Sequence, residues 1–288
     1  MQTAFQNCHP AVNFLFFISV IVYGMFFFHP VLLGIAFASS LAYSLYLCGR
    51  KTAKMFVCFL LPTLLFVTVL NTLFAHYGVT TLYVLPSGNR ITLEALVYGL
   101  VTGGMVATVF LWFTCYNRVV TTDKFLYLFG KRLPTAAMLV SMTLRFVPLF
   151  TKRLQKIRQA QRGIGNAGEG KLKNAVHSLS ILTTWSLENA ICTADSMKSR
   201  GYGLRGRTSY SRYPKTVRDL VLFASILCLD AVMLTGVLLK QTKAVYNPIF
   251  SLPPVTAFSY ILFVCYAALC FLPLALDLSE ARKWNRSL

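Results

Sequence analysis

The chain has 288 residues, of which 56% are hydrophobic and only 13% charged, and its 28 Lys and Arg outweigh 9 Asp and Glu to give a formal net charge of +19. Soluble domains carry about 25% charged residues, so this composition excludes an ordinary water-soluble enzyme, a disordered chain and a small disulfide scaffold. What it leaves is an all-α, polytopic membrane protein whose positive excess reflects topology.

A membrane-crossing helix needs about 20 mostly apolar residues. Six runs qualify, at 11–28, 31–48, 55–75, 91–116, 217–238 and 255–276. Residues 1–10 have neither a basic n-region nor a small-residue cleavage site, so no cleaved signal peptide is expected. The first two runs are short, and His29-Pro30 between them predicts a tight turn, because proline lacks a donor and restricts its predecessor. Within the fourth run, Gly99, Gly103 and Ala107 form a small-residue stripe that lets backbones approach closely in lipid. That stripe fits packing inside this chain or contact with another membrane subunit. Glu94 reads as the solvated end of the same run. Asp230 lies deeper in the fifth run and reads either as a buried pairing group or as a functional carboxylate.

The basic residues orient the spans. If the N-terminus is inside, Arg50, Lys51 and Lys54, the nineteen from Arg118 to Arg218, and Arg282, Lys283 and Arg286 all face the cytoplasm. Only Arg90, Lys240 and Lys243 then lie outside. The positive-inside rule favours this orientation, with both termini and residues 117–216 cytoplasmic. Three regions follow: an N-terminal membrane bundle at 1–116, a basic cytoplasmic module at 117–216 and C-terminal membrane helices at 217–288.

The basic module holds the functional signal. After Gly130 and Pro134 comes PTAAMLVSMTLRFVPLF. Arg145 at its centre argues against a crossing helix, and Pro148 is expected to disrupt it. The segment is therefore expected to lie along the membrane or leave it. Phe150, Leu154, Ile157 and Gln161 then fall on one helical stripe beside a dense basic face. This helix ends at Gln161-Arg162-Gly163. A second, spanning about 171–200, ends at Ser199-Arg200-Gly201. Glycine after a helix and arginine in its last turn are common helix-ending devices. Two such endings in one insert also present two guanidinium groups suited to gripping a partner's carboxylate.

Arg145-Phe146-Val147-Pro148, Ala160-Gln161-Arg162-Gly163 and Ser199-Arg200-Gly201-Tyr202 together resemble the transmembrane T component of energy-coupling factor (ECF) transporters, the EcfT/CbiQ family. The likeness runs over the whole chain, although Gln161 and Ser199 replace the alanine of the family's Ala-Arg-Gly-like motifs. It implies two cytoplasmic ABC ATPases, identical or different, each receiving one Arg-Gly helix tip. It also implies a small membrane-embedded S component that binds a vitamin or transition-metal ion, in a bacterial or archaeal cell membrane. ATP and Mg²⁺ would belong to the ATPases, and no cofactor or metal is expected on this chain.

The remaining residues agree with a non-enzymatic coupling subunit. No G-x-x-x-x-G-K-[ST] motif is present. The eight cysteines include no C-x-x-C pair and the four histidines have no metal spacing. A membrane-embedded transferase with a basic cytoplasmic site is the alternative, and it would need clustered acids for a Mg²⁺-diphosphate. Asp123, Glu169, Glu188, Asp195 and Asp219 are scattered. Aromatic residues are too sparse in the module to suggest a nucleic-acid partner.

Overall fold

A computed structural model describes residues 3–74, 80–84, 90–130, 133–164, 170–204, 213–214, 216–239, 241–242 and 256–287. The helices, in chain order, are α1 (Pro10–Phe26), α2 (Pro30–Cys48), α3 (Arg50–Met55), α4 (Leu61–Phe74), α5 (Leu93–Val119), α6 (Thr122–Gly130), α7 (Pro134–Gly163), α8 (Lys171–Ser199), α9 (Val217–Leu238) and α10 (Ala257–Ser287). A π-helical turn, Phe56–Leu60, joins α3 to α4 without a break, and strands β1 (Thr81–Val84) and β2 (Arg90–Thr92) pair antiparallel ahead of α5. This small hairpin was not among the elements expected from sequence. The fold is all-α and polytopic, as the composition implied.

Among the described residues, six helices are long and apolar enough to cross a membrane: α2, the continuous Arg50–Phe74 helix, α5, α7, α9 and α10. This set differs in two places from the sequence expectation. Helix α1 has 17 residues, because the chain turns extended at Phe27 before the His29-Pro30 turn. Helix α7 runs unbroken through Pro148 for 30 residues. Proline costs that helix one backbone donor, and the thirty-residue run absorbs the loss. Thr151 Oγ1 donates back to the Pro148 carbonyl at 2.9 Å.

The two His-Pro dipeptides open helices in the same way. Pro10 and Pro30 occupy the first helical turn, where a missing donor costs nothing. The preceding histidine caps with its ring: His9 Nδ1 accepts from Ala11 N at 3.2 Å and His29 Nδ1 from Val31 N at 3.3 Å. Both roles need an unprotonated Nδ1, and burial draws the His29 pKa below its usual value. The sequence showed of these histidines only that they lack metal spacing.

The chain groups into two compact units. Unit 1 comprises Met1–Phe125 and Tyr213–Leu288, and unit 2 comprises Leu126–Arg212. The core of unit 1 gathers Phe16 and Phe17 of α1, Tyr43 of α2, Trp112 of α5, Ile226 and Met233 of α9, and Tyr266 of α10. Phe16 meets the Trp112 ring edge-on at 5.7 Å, and Tyr266 meets Phe27 at 5.3 Å. Polar groups in the spans are tied internally. Ser19 Oγ donates to Asp230 Oδ2 at 2.6 Å, and Tyr23 OH donates to the Asp230 carbonyl at 3.2 Å, joining α1 to α9. Asp230 is thus a pairing group between two helices. Glu94, expected at a solvated end, is buried instead, and its Oε1 accepts from Thr80 N at 3.2 Å and Thr80 Oγ1 at 2.7 Å.

Gly99 and Gly103 face α4 of the same chain. A Cβ on Gly99 would sit 2.9 Å from the Thr68 carbonyl oxygen, and one on Gly103 3.0 Å from the Leu64 carbonyl oxygen. Both obstacles are backbone and cannot swing aside. Gly104 differs, because its nearest neighbour is the flexible Leu33 side chain at 3.3 Å, and Gly34 on α2 has open space around it. Gly99→Ala or Gly103→Ala should therefore destabilise the purified protein by about 1–3 kcal/mol. Gly34→Ala should be neutral or gain up to about 1 kcal/mol from helix propensity. Thermal unfolding in one detergent would check the contrast, and equal losses at all three sites would overturn the close approach of α4 to α5.

Candidate functional site

In unit 2, α7 and α8 pack along a seam set by the periodic stripe on α7. Ile157 is buried, and Phe150, Leu154 and Gln161 are half-buried, while Lys152, Arg153, Lys156 and Arg158 stand exposed. The 3.6-residue period puts one narrow face against α8 and leaves the charges in water. Trp185 of α8 pins the seam. Its ring meets Phe150 edge-on at 5.9 Å, and the Arg153 guanidinium lies 5.1 Å from the ring centre. Phe146 stacks on Phe150 at 5.8 Å. Sequence reading singled out neither Trp185 nor Arg153. The signal was present, because a bulky aromatic in a sparsely aromatic helix opposite Phe150 has few places to go.

The stripe ends at Gln161, whose Oε1 accepts from the Ser178 hydroxyl at 2.8 Å. Ser178 is buried and also reaches the Asn174 carbonyl at 2.7 Å. Gln161 therefore faces inward and closes the seam one residue before the tip. Arg162 and Gly163 beyond it are exposed. At the other end, Ser199 and Arg200 are exposed, and Ser199 Oγ donates to the Ser196 carbonyl at 3.0 Å. Among the described residues neither Arg162 nor Arg200 takes part in an ion pair. Arg145 and Pro148 lie exposed on α7, amid the exposed apolar residues Leu139, Val140, Leu144 and Val147.

The two helix ends were expected to be alike and are not. After α8, Gly201 takes a φ of +80°. Tyr202 N then donates to the Met197 carbonyl at 3.0 Å and Gly201 N to the Lys198 carbonyl at 3.0 Å. This is a Schellman closure, and it needs the left-handed conformation that glycine supplies. Gly163, by contrast, is still helical, and Ile164 N continues the pattern by donating to Ala160 O at 3.1 Å. The physical reason is positional: Gly163 is the last helical residue, not the one after the cap. Arg200 is held by a locked turn, whereas Arg162 sits on the final helical turn itself.

Among the described residues no three His, Cys, Asp or Glu gather into a metal-binding group, and all eight cysteines are free. The chemistry available to unit 2 is charge presentation from two helix ends.

Such a molecule, with several helices long and apolar enough to cross a membrane and a basic two-helix hairpin, is a multi-pass membrane protein. The chain belongs to the CbiQ family, described as cobalt transport protein, whose model matches residues 3–210. That match runs from ahead of α1 to beyond α8. A stretch of 105 residues is 38% identical to the energy-coupling factor transporter transmembrane protein EcfT of Lactobacillus helveticus (strain DPC 4571), covering 34% of this chain and 38% of that relative. The chain thus aligns with well under half of that relative's length.

Trp185 gives a direct test of the hairpin. Trp185→Ala removes an aromatic pair worth about 0.5–1.5 kcal/mol and a cation–π contact worth about 0.5–1 kcal/mol at an exposed site. Trypsin should then cut faster at Arg153 and Arg158, with membrane insertion unchanged. Wild-type cleavage rates would show that the seam does not depend on Trp185.

Proposed function

We propose that this chain is the transmembrane coupling subunit of an ECF-type ABC uptake transporter. The α7–α8 hairpin receives two cytoplasmic ATPases, one at Gln161-Arg162-Gly163 and one at Ser199-Arg200-Gly201. The membrane bundle meets a substrate-binding S component that selects a vitamin or transition-metal ion. The observation that carries the reading is the pair of exposed arginines, Arg162 and Arg200, at the ends of the two hairpin helices. The match to a transport family and the likeness to an EcfT protein support it. Closure of the ATPases on ATP changes the separation of the two tips, and the bundle passes that change to the S component. This gives two sites and a two-state element between them, as allosteric coupling requires.

The arginine tips separate this role from simple helix capping. A dipole cap is worth about 0.3–1 kcal/mol, whereas a buried interfacial charge partner costs about 2–5 kcal/mol when removed. Arg162→Ala or Arg200→Ala alone should weaken ATPase co-purification, and the double variant should abolish it with normal insertion. Lysine should rescue poorly, because an ammonium lacks the planar two-donor fork. Full ATPase recovery with the double variant would remove the coupling role from these motifs. Orientation is tested separately. A topology reporter fused after residue 170 should read inside and one after residue 80 outside, and an outside signal at 170 would reverse the assignment.

A further inference from the structure

Before α1, residues Thr3–His9 run as consecutive turns packed into unit 1. Phe5 is fully buried, with Phe16 at 5.3 Å and Phe17 at 6.2 Å between ring centres. Cys8 is buried too. Its thiol is pushed up to about 11 by desolvation and points at the Ala4 carbonyl at 3.6 Å, so it packs rather than reacts.

What holds this segment is unusual in its chemistry. Three charged side chains from three other helices bond to its main chain. Asp277 of α10 accepts from Phe5 N at 2.7 Å. Asp219 of α9 accepts from His9 N at 3.0 Å. Lys124 of α6 donates to the Gln6 carbonyl and to Val119 O at 3.2 Å. With its amide turned to satisfy both neighbours, Asn13 donates to Phe5 O at 3.0 Å and accepts from Lys124 Nζ at 3.0 Å. The three are only 2%, 7% and 5% exposed. Buried charge is costly unless hydrogen-bonded, and among the described residues these three bond to backbone groups, the Asn13 amide and the Thr216 hydroxyl rather than to one another.

Their positions along the chain carry the inference. The chain leaves unit 1 for the α7–α8 hairpin at Phe125, directly after Lys124. It returns at Tyr213, and the first helix it then forms begins with a capping box in which Thr216 Oγ1 and Asp219 bond reciprocally. The outgoing and returning connections are therefore both fastened to Thr3–His9. Slack at either connection would absorb a displacement of α7 or α8 before it reached the membrane helices.

We propose that Thr3–His9 is a backbone latch that ties the two connections of the coupling hairpin into unit 1, making Lys124 and Asp219 positioning residues for energy transfer. This rests on the coupling role proposed above. The experiment compares amide hydrogen exchange with ATP-Mg and with ADP in the chain co-purified with its ATPases, in lipid nanodiscs. In the wild type, nucleotide should alter exchange in α7–α8 and also at the ends of α9 and α10. Lys124→Met should keep the α7–α8 response and reduce the α9–α10 response about fivefold, the size of one net hydrogen bond. Lys124→Arg, which keeps charge and donors, should restore much of it. Where Lys124→Met fails to assemble, Asp219→Asn serves, because it leaves a single acceptor oxygen for His9 N and the Thr216 donors that Asp219 serves with two. A full α9–α10 response in these variants, even with lowered thermal stability, would reduce the segment to a structural plug and overturn the latch. Absence of ATPases or of any α7–α8 response in the wild type would instead overturn the coupling role itself.

Discussion

Inside a bilayer no water is available to a stray polar atom, and that constraint organises unit 1. Hydroxyls in the spans turn back onto their own helices: Thr68 onto Leu64 O, Thr72 onto Thr68 O, Thr102 onto Tyr98 O and Thr108 onto Gly104 O, all at 2.7–2.8 Å. Asp230 is tied to α1 through Ser19, which bonds its carboxylate, and Tyr23, which bonds its main-chain carbonyl. Helix starts are sealed by His9, His29, Thr92 and the Thr216–Asp219 box. The apolar exterior then needs no explanation beyond lipid or a membrane partner, and polar specificity is confined to unit 2 and to the buried segment ahead of α1.

Unit 2 follows a different rule. Its helices meet along a narrow stripe of four residues between Phe150 and Gln161, and much of the rest of their surface is exposed, with basic and apolar residues prominent on α7. A hairpin with so narrow a seam gains little from its own packing. Its stability comes from a few large contacts, Trp185 foremost, and its exposed surface suits association with other molecules. The unlike ends belong to the same logic: one arginine is fixed by a turn, and the other rides on the last turn of its helix.

Much of this was legible in the sequence because hydrophobic length and helical period are strong signals. The runs at 31–48, 55–75, 91–116, 217–238 and 255–276 all became helices, and the Phe150–Gln161 stripe became the seam. Three features escaped for physical reasons. Pro148 was weighed as a break in α7, but a long run of helix formers outweighs one lost donor. The β-hairpin lies in a polar stretch whose strands of three and four residues carry too little pattern to read. The latch depends on contacts more than 100 positions apart in sequence, between Lys124, Asp219 or Asp277 and residues 5–9, and no local pattern encodes such pairing. Asp219 looked like one scattered acid and Lys124 like one more positive charge.

The π turn at Phe56–Leu60 sets how one helix can face in two directions. Thr52 is buried against Ser44 of α2, with its hydroxyl 2.8 Å from the Ser44 carbonyl, and Leu60 is buried beside Ala107 and Leu111 of α5. Eight residues apart on a regular helix, these side chains would diverge by about 80°. A π turn absorbs one extra residue, so the divergence closes to about 20° in the opposite sense. The wider turn therefore works as an angular spacer. It lets the helix dock Thr52 at one level and Leu60 at the next, while Arg50, Lys51 and Lys54 stay exposed at its start. A chain with one residue fewer in this stretch would reach the same register, about 20° from alignment, as a regular helix, so the π turn is what lets the extra residue be carried without rotating either docking point.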